Sequence, residues 1–149
     1  MKHRILIIED EPTMRLGMSH FLSSSGYGVK TSENGIKGLS EIERERFDLV
    51  ITDLRLPGHD GLSLLKKIKS DRPETGVIIM TAYADVKTAV QAIKEGAFDY
   101  IAKPFSNDEL LITIERFLKF RNLEMEVSRL KESVSGRTVF ENLIGVSQL

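Results

Sequence analysis

Short aliphatic runs alternate along this chain with stretches whose apolar residues recur every three or four positions, and the alternation repeats five times. Ile5-Leu6-Ile7-Ile8, Phe47 to Thr52, Val77 to Met80 and Tyr100-Ile101-Ala102 read as strands, with Gly28-Val29-Lys30 a weaker one between the first two. The intervening stretches read as helices. The first starts near Pro12, places Met14, Met18, Phe21 and Leu22 on one face and stops at Gly26. The next carries Ile36, Leu39 and Ile42, and the third Leu62, Leu65 and Ile68. In the fourth, Val86, Ala89, Val90 and Ile93 are expected to face inward, with Gly96 just past the end. Strand and helix in strict alternation predict an α/β fold with a parallel sheet.

The pattern changes after Lys103-Pro104-Phe105. Ser106-Asn107-Asp108-Glu109 is a capping box, in which serine and glutamate satisfy helix-end amides reciprocally. Leu110, Ile114 and Phe117 can pack on the sheet, but the helical pattern runs on beyond them. Phe120, Val127 and Val134 are spaced by seven, and Leu123 and Leu130 follow the first two by three, an a/d seam of about two heptads ending near Gly136. A solvated helix with incidental apolar residues is the alternative; the seam is read as a dimerising linker over residues 122–136. Residues 137–149 lack periodicity and resemble the opening of a further domain.

Chemistry collects where the apolar runs end. Glu9-Asp10-Glu11 follows the first, Asp53 the third, Thr81 the fourth and Lys103 the fifth. In a parallel sheet the carboxyl ends of the strands share one edge, where ligands bind. Glu9, Asp10 and Asp53 would then lie within a few ångströms of one another, and two like charges about 4 Å apart repel by roughly 4 kcal/mol at an effective dielectric of 20. A hydrated magnesium ion relieves that repulsion, since it is held by one or two carboxylates together with waters and phosphate oxygens. Asp53, at the centre of the edge, is the candidate nucleophile toward a phosphoryl donor, Asp10 the main metal ligand, and Glu9 acts through water or by orientation. Lys103 suits a phosphoryl oxygen, as does the Thr81 hydroxyl. An X-Pro bond is cis in only about 5–6% of cases, so the sequence leaves the Lys103-Pro104 isomer open.

Composition narrows the field. The 149 residues hold 21 basic and 22 acidic side chains, so no net charge draws the chain to nucleic acid or membrane. There is no cysteine, hence no disulfide or thiolate metal site, and no apolar run long enough for a signal peptide or a membrane span. A cytoplasmic location is expected, with no membrane partner. No Walker phosphate loop of the form GxxxxGK[ST] occurs.

Four segments together, Ile-Ile-Glu-Asp-Glu-Pro at 7–12, Ile-Thr-Asp-Leu-Arg-Leu-Pro-Gly at 51–58, Met-Thr-Ala at 80–82 and Tyr-Ile-Ala-Lys-Pro-Phe at 100–105, resemble the receiver domain of two-component response regulators over residues 3 to about 121. The resemblance implies a flavodoxin-like five-stranded sheet of order 2-1-3-4-5 with five helices. It also implies roles. Asp53 matches the phosphoacceptor, Glu9 and Asp10 the acidic pair, the Arg55 backbone carbonyl a third magnesium ligand, Thr81 the switch hydroxyl, Lys103 the site lysine and Tyr100 the switch aromatic. Glu9 stands where many receivers have aspartate. Arg55 and Tyr83 match positions lining the path of hydrolytic water, and their bulk implies slow self-dephosphorylation.

The run Thr81-Ala82-Tyr83-Ala84-Asp85 with Ala89 to Phe105 looks most like receivers of nitrogen-regulator-type activators of sigma-54 RNA polymerase, and residues 140–145 look like the entry to their AAA+ ATPase domain. The resulting division is a receiver at 1–121, a helical linker at 122–136 and the start of a truncated ATPase domain at 137–149. The implied partners are a sensor histidine kinase and a second copy of the chain, with polymerase and DNA reached only through absent domains. The fragment is expected to accept a phosphoryl group rather than act as a turnover enzyme. Three rival readings each require something different of the sequence. A haloacid-dehalogenase-like phosphohydrolase usually carries a second acid two residues after its nucleophile, where this chain has Arg55 or, counting from Asp10, Pro12. A flavin binder of flavodoxin type needs a Ser/Thr/Gly-rich first loop in place of Glu-Asp-Glu. A pseudo-receiver, acting only through protein contacts, is the alternative that loss of an acid, the threonine or the lysine would favour, and none is lost.

Overall fold

A computed structural model describes the backbone of residues 2–56, 59–82 and 86–135, and the side chains of these except at 59 and 132–135. Tyr83, Gly136, the side chain of Val134 and the segment 137–149 therefore lie outside the described residues. Among the described residues the elements follow in order: β1 (Arg4–Ile8), α1 (Pro12–Ser24), β2 (Gly28–Ser32), α2 (Gly35–Arg44), β3 (Leu49–Asp53), β4 (Arg55–Leu56), β5 (His59–Asp60), α3 (Gly61–Asp71), β6 (Gly76–Ala82), α4 (Val86–Lys94), β7 (Asp99–Lys103) and α5 (Asn107–Ser135). Five strands form one parallel sheet in the order β2-β1-β3-β6-β7, the expected 2-1-3-4-5 arrangement. The antiparallel pair β4-β5, two residues each, was not anticipated and fills the loop after Asp53.

Central strands of a parallel sheet are covered on both faces, so they need no polar side. Accordingly Leu49, Val50 and Ile51 are fully buried, as are Ile5 to Ile8 and Val77 to Met80. Leu6, Ile8, Val50, Val77 and Ile79 form a cluster with Ile42 of α2, Leu64, Leu65 and Ile68 of α3, and Ala92 of α4, against which Tyr100 packs partly buried.

Helix ends follow local chemistry. Glu11 caps α1 by accepting hydrogen bonds from the Thr13 and Met14 amides, and Pro12 occupies its first position. After its last turn Gly26 takes φ 101°, a left-handed conformation that glycine adopts without Cβ strain. At α5 the Ser106 hydroxyl accepts from the Glu109 amide at 3.1 Å, the serine half of the capping box.

One expected inward stripe is corrected, and one apolar residue of another helix is exposed. In α4 the buried residues are Ala89 and Ala92, while Val86, Val90 and Ile93 are 40%, 43% and 37% exposed. A helix set close to the sheet turns its small side chains inward, and the branched ones flank the contact. In α2, Gly35, Gly38 and Ile42 are buried, whereas Ile36 is 72% exposed.

The chain divides into two units, Met1–Thr113 and Ile114–Leu149. The first holds the sheet, α1 to α4 and the start of α5. In the second, Ile114 and Phe117 are buried and the Arg121 guanidinium lies 5.6 Å from the Phe117 ring centroid. Farther along, Phe120, Leu123, Val127 and Leu130 are about half exposed, as is Met125. The Lys103-Pro104 peptide bond is cis. Among the described residues, no helix is long and apolar enough to cross a membrane.

Candidate functional site

All of the chemistry-bearing strand ends lie on the carboxyl edge of the sheet, the site's location in open α/β folds. Asp53 is the last residue of β3 and Lys103 of β7, Thr81 is the last but one of β6, and Glu9 and Asp10 follow β1 directly. The parallel ladder continues past the strands, with the Glu9 amide donating to the Ser32 carbonyl at 3.0 Å and the Leu54 amide to the Met80 carbonyl at 2.9 Å, so both acidic segments are fixed by backbone bonds.

The acids converge as expected. One carboxylate oxygen from each of Glu9, Asp10 and Asp53 lies within 4.8 Å of the others. Glu9 is 1% and Asp53 8% exposed, whereas Asp10 faces solvent. The Lys103 ammonium donates to Glu9 Oε1 at 2.9 Å and to Asp53 Oδ2, bridging the buried pair. Glu9 Oε2 accepts from the Glu11 amide and Asp53 Oδ1 from the Arg55 amide, at 3.0 and 2.9 Å. Each buried carboxylate is thus held at both oxygens.

Burial pushes the Glu9 carboxyl above the usual carboxylate range, against the pull of its hydrogen bonds from Lys103 and Glu11. Burial also opposes the Lys103 charge, but hydrogen bonds to Asp53 and Glu9 outweigh it and lift the lysine pKa. Three hard oxygen donors balanced by one ammonium suit a hard divalent cation such as magnesium, which favours carboxylate ligands.

Thr81 is fully buried, its hydroxyl donating to the Ala82 carbonyl at 3.0 Å. In register it lies opposite Ala102, and Ile79 opposite Tyr100. Side chains two apart on a strand share a face, so Thr81 and Tyr100 lie on one face of the sheet. Tyr100 belongs to the core packing rather than to the acidic cluster, and Arg55 is exposed. The seam residues of α5 lie in the other unit.

Two contributors escape sequence reading. Arg15 of α1 donates from Nη1 to the Glu9 carbonyl at 2.9 Å and the Asp10 carbonyl at 3.3 Å. Gly61, at the start of α3, lies so close to the loop after Asp53 that a Cβ there would stand 2.1 Å from the Leu54 carbonyl oxygen. A lone arginine in a first helical turn and a glycine after Asp60 carry no distinctive spacing.

Comparison with known proteins agrees with this geometry. The chain is 38% identical over 133 residues to the regulatory protein AtoC of Escherichia coli, covering 89% of this chain and 29% of AtoC. It is 37% identical over 151 residues to the nitrogen assimilation regulatory protein NtrX of Azorhizobium caulinodans, covering all of this chain and 33% of that protein. The chain therefore spans about a third of the length of these curated relatives. Among solved structures, NtrX from Brucella abortus matches with a TM-score of 0.83 at 37% identity over 87% of this chain and 30% of that one. A response regulator receiver domain protein from Clostridium thermocellum matches at 0.77 and 34%, over 81% of this chain and 98% of that one. With residues 5–115 also matching the family model of the response regulator receiver domain, the segment that builds the sheet and gathers the acids is the segment the family shares, and the chain belongs to that family.

Proposed function

We propose that this receiver accepts a phosphoryl group on Asp53, from a sensor histidine kinase or a small phosphodonor, with magnesium bound, and passes the change to its last helix. The observation that carries the reading is the convergence of three carboxylates and one ammonium at the carboxyl edge. Asp10, Asp53 and the Arg55 backbone carbonyl would hold the ion, with Glu9 acting through water. Magnesium there would shield the carboxylates from the incoming phosphoryl group and hold the reactants in line.

Asp53 is the nucleophile. Its carboxylate oxygen bonds to phosphorus as the bond from phosphorus to the donor's nitrogen or oxygen breaks, and the leaving group keeps that electron pair. Lys103, which here pairs with Asp53, keeps its proton and re-pairs its ammonium with a phosphoryl oxygen. The Thr81 hydroxyl turns toward the new phosphate, and Tyr100, on the same face, moves into the space released. Arg55 obstructs the path of hydrolytic water.

The output is a change in pairing between two copies through the last helices and the seam of Phe120, Leu123, Val127, Leu130 and Val134. Exposed apolar residues at heptad spacing in α5 support that reading. Residues 122–136 act as the linker, and 137–149 open the ATPase domain of a sigma-54 activator, through which polymerase and DNA are reached in the cytoplasm.

Intact mass after incubation with acetyl phosphate tests the acceptor. One added phosphoryl group that requires both magnesium and Asp53, and is absent in Asp53→Asn, is expected. No gain under conditions where magnesium demonstrably binds would overturn it in favour of a protein-contact role. Sedimentation of the same samples, with Leu123→Asn alongside, reads the dimer.

A further inference from the structure

The ladder of β1 with its neighbours ends at the Glu9 amide, which donates to the Ser32 carbonyl, and Asp10 lies one residue beyond it. The Glu9 carboxylate has its own fixings, Lys103 and the Glu11 amide. The Asp10 carboxyl pairs with that of Glu9, and the Asp10 backbone carbonyl accepts from Arg15 Nη1 at 3.3 Å. The same nitrogen donates to the Glu9 carbonyl, so a single guanidinium spans consecutive peptide units of the acidic loop.

The dipole of its own helix opposes a cation at Arg15. Arg15 is the fourth residue of α1, and the positive end of the helix dipole disfavours a cation in the first turn. The bonds to the two carbonyls, with the nearby Glu33 carboxylate, supply the compensation, and the side chain is partly buried. An arginine free to follow the dipole would point into solvent.

We propose that Arg15 is a positioning residue for the divalent cation: by clamping the Glu9 and Asp10 carbonyls it fixes the loop that aims the Asp10 carboxylate at the cluster. The inference rests on the metal role of the acidic site proposed above. Metal affinity follows the order imposed on the ligands by the groups behind them, and removing such groups typically weakens binding about 10–100-fold.

The test uses the full chain and the variants Arg15→Met, which keeps an apolar stem, and Arg15→Lys, which restores one cation. Calorimetric titration with magnesium is expected to show binding weakened about 10–100-fold in Arg15→Met and by less in Arg15→Lys. Thermal unfolding in EDTA should stay close to the parent, and saturating magnesium should restore the maximal rate of labelling by acetyl phosphate, so that only the metal dependence moves. Parent-like affinity in Arg15→Met would overturn the clamp alone. A fall in maximal rate that saturating metal does not restore, with a matching loss of thermal stability, would reduce Arg15 to a structural part. A parent that binds no magnesium would overturn the proposed function, and this inference with it.

Discussion

Replacing Lys103 by methionine removes the charge that allows two buried carboxylates to coexist while leaving a side chain of similar length. Lys103 Nζ stands 2.9 Å from Glu9 Oε1, a gross attraction of about 6 kcal/mol at an effective dielectric of 20. The carboxylates left behind, with ligand oxygens within 4.8 Å of one another, repel by about 3.5 kcal/mol per pair on the same scale. Removing one partner of a buried ion pair destabilises by about 3–5 kcal/mol. The lysine side chain is 25% exposed, and solvent screening lowers the expected loss to about 2–3 kcal/mol. The direction with metal is opposite. Without the competing ammonium the three acids bind magnesium more tightly, and a ligand at about 100 times its Kd returns about 2.7 kcal/mol. Urea unfolding of parent and variant, each in EDTA and in magnesium, gives all four stabilities. A variant as stable as the parent in EDTA, or one gaining no more than the parent from magnesium, would refute the view that Lys103 stands in for a cation.

Gly61→Ala sets a Cβ 2.1 Å from the Leu54 carbonyl oxygen, so the backbone beside Asp53 must shift; a stability loss of about 1–3 kcal/mol is expected from urea unfolding, with slower labelling by acetyl phosphate. Glu45 is bonded to Lys30 and Arg4, and the Lys30 hydrogen bond first of all lowers its pKa below the ordinary 4.5, so its contribution is present above pH 4.5 and fades as pH falls through the lowered value. The stability difference between the parent and Glu45→Gln should therefore shrink in acid; a difference that does not change with pH contradicts the assignment. Arg55→Ala should shorten the lifetime of the acyl phosphate on Asp53, followed by loss of label after donor removal, and an unchanged lifetime would reject the blocking role.

The parts of this fold that could be read in advance are those where one physical requirement dominates. A strand covered on both faces must be apolar throughout, so Leu49-Val50-Ile51 is conspicuous, and Asp53 at its end is conspicuous by contrast. The acidic cluster follows from the strand ends alone. Helix orientation is less legible, because the inward side depends on how closely the helix approaches the sheet. Ala89 and Ala92 win over Val86 and Val90 through small size, which an apolar count does not register. The Arg15 clamp and the β4-β5 pair are hydrogen-bonded to backbone, and backbone partners leave no trace in side-chain patterning.

The opposite rim of the sheet has its own consequence. There Arg4, Lys30, Glu41 and Glu45 form an ionic group, and the Thr75 hydroxyl donates to the Phe47 carbonyl. A five-residue strand such as β3 is about 17 Å long, so this rim lies a strand's length from the acids. A fluorophore or surface tether attached at that rim would therefore report on the receiver without entering its chemistry, and substitutions made there could retune the melting point of the domain independently of its signal.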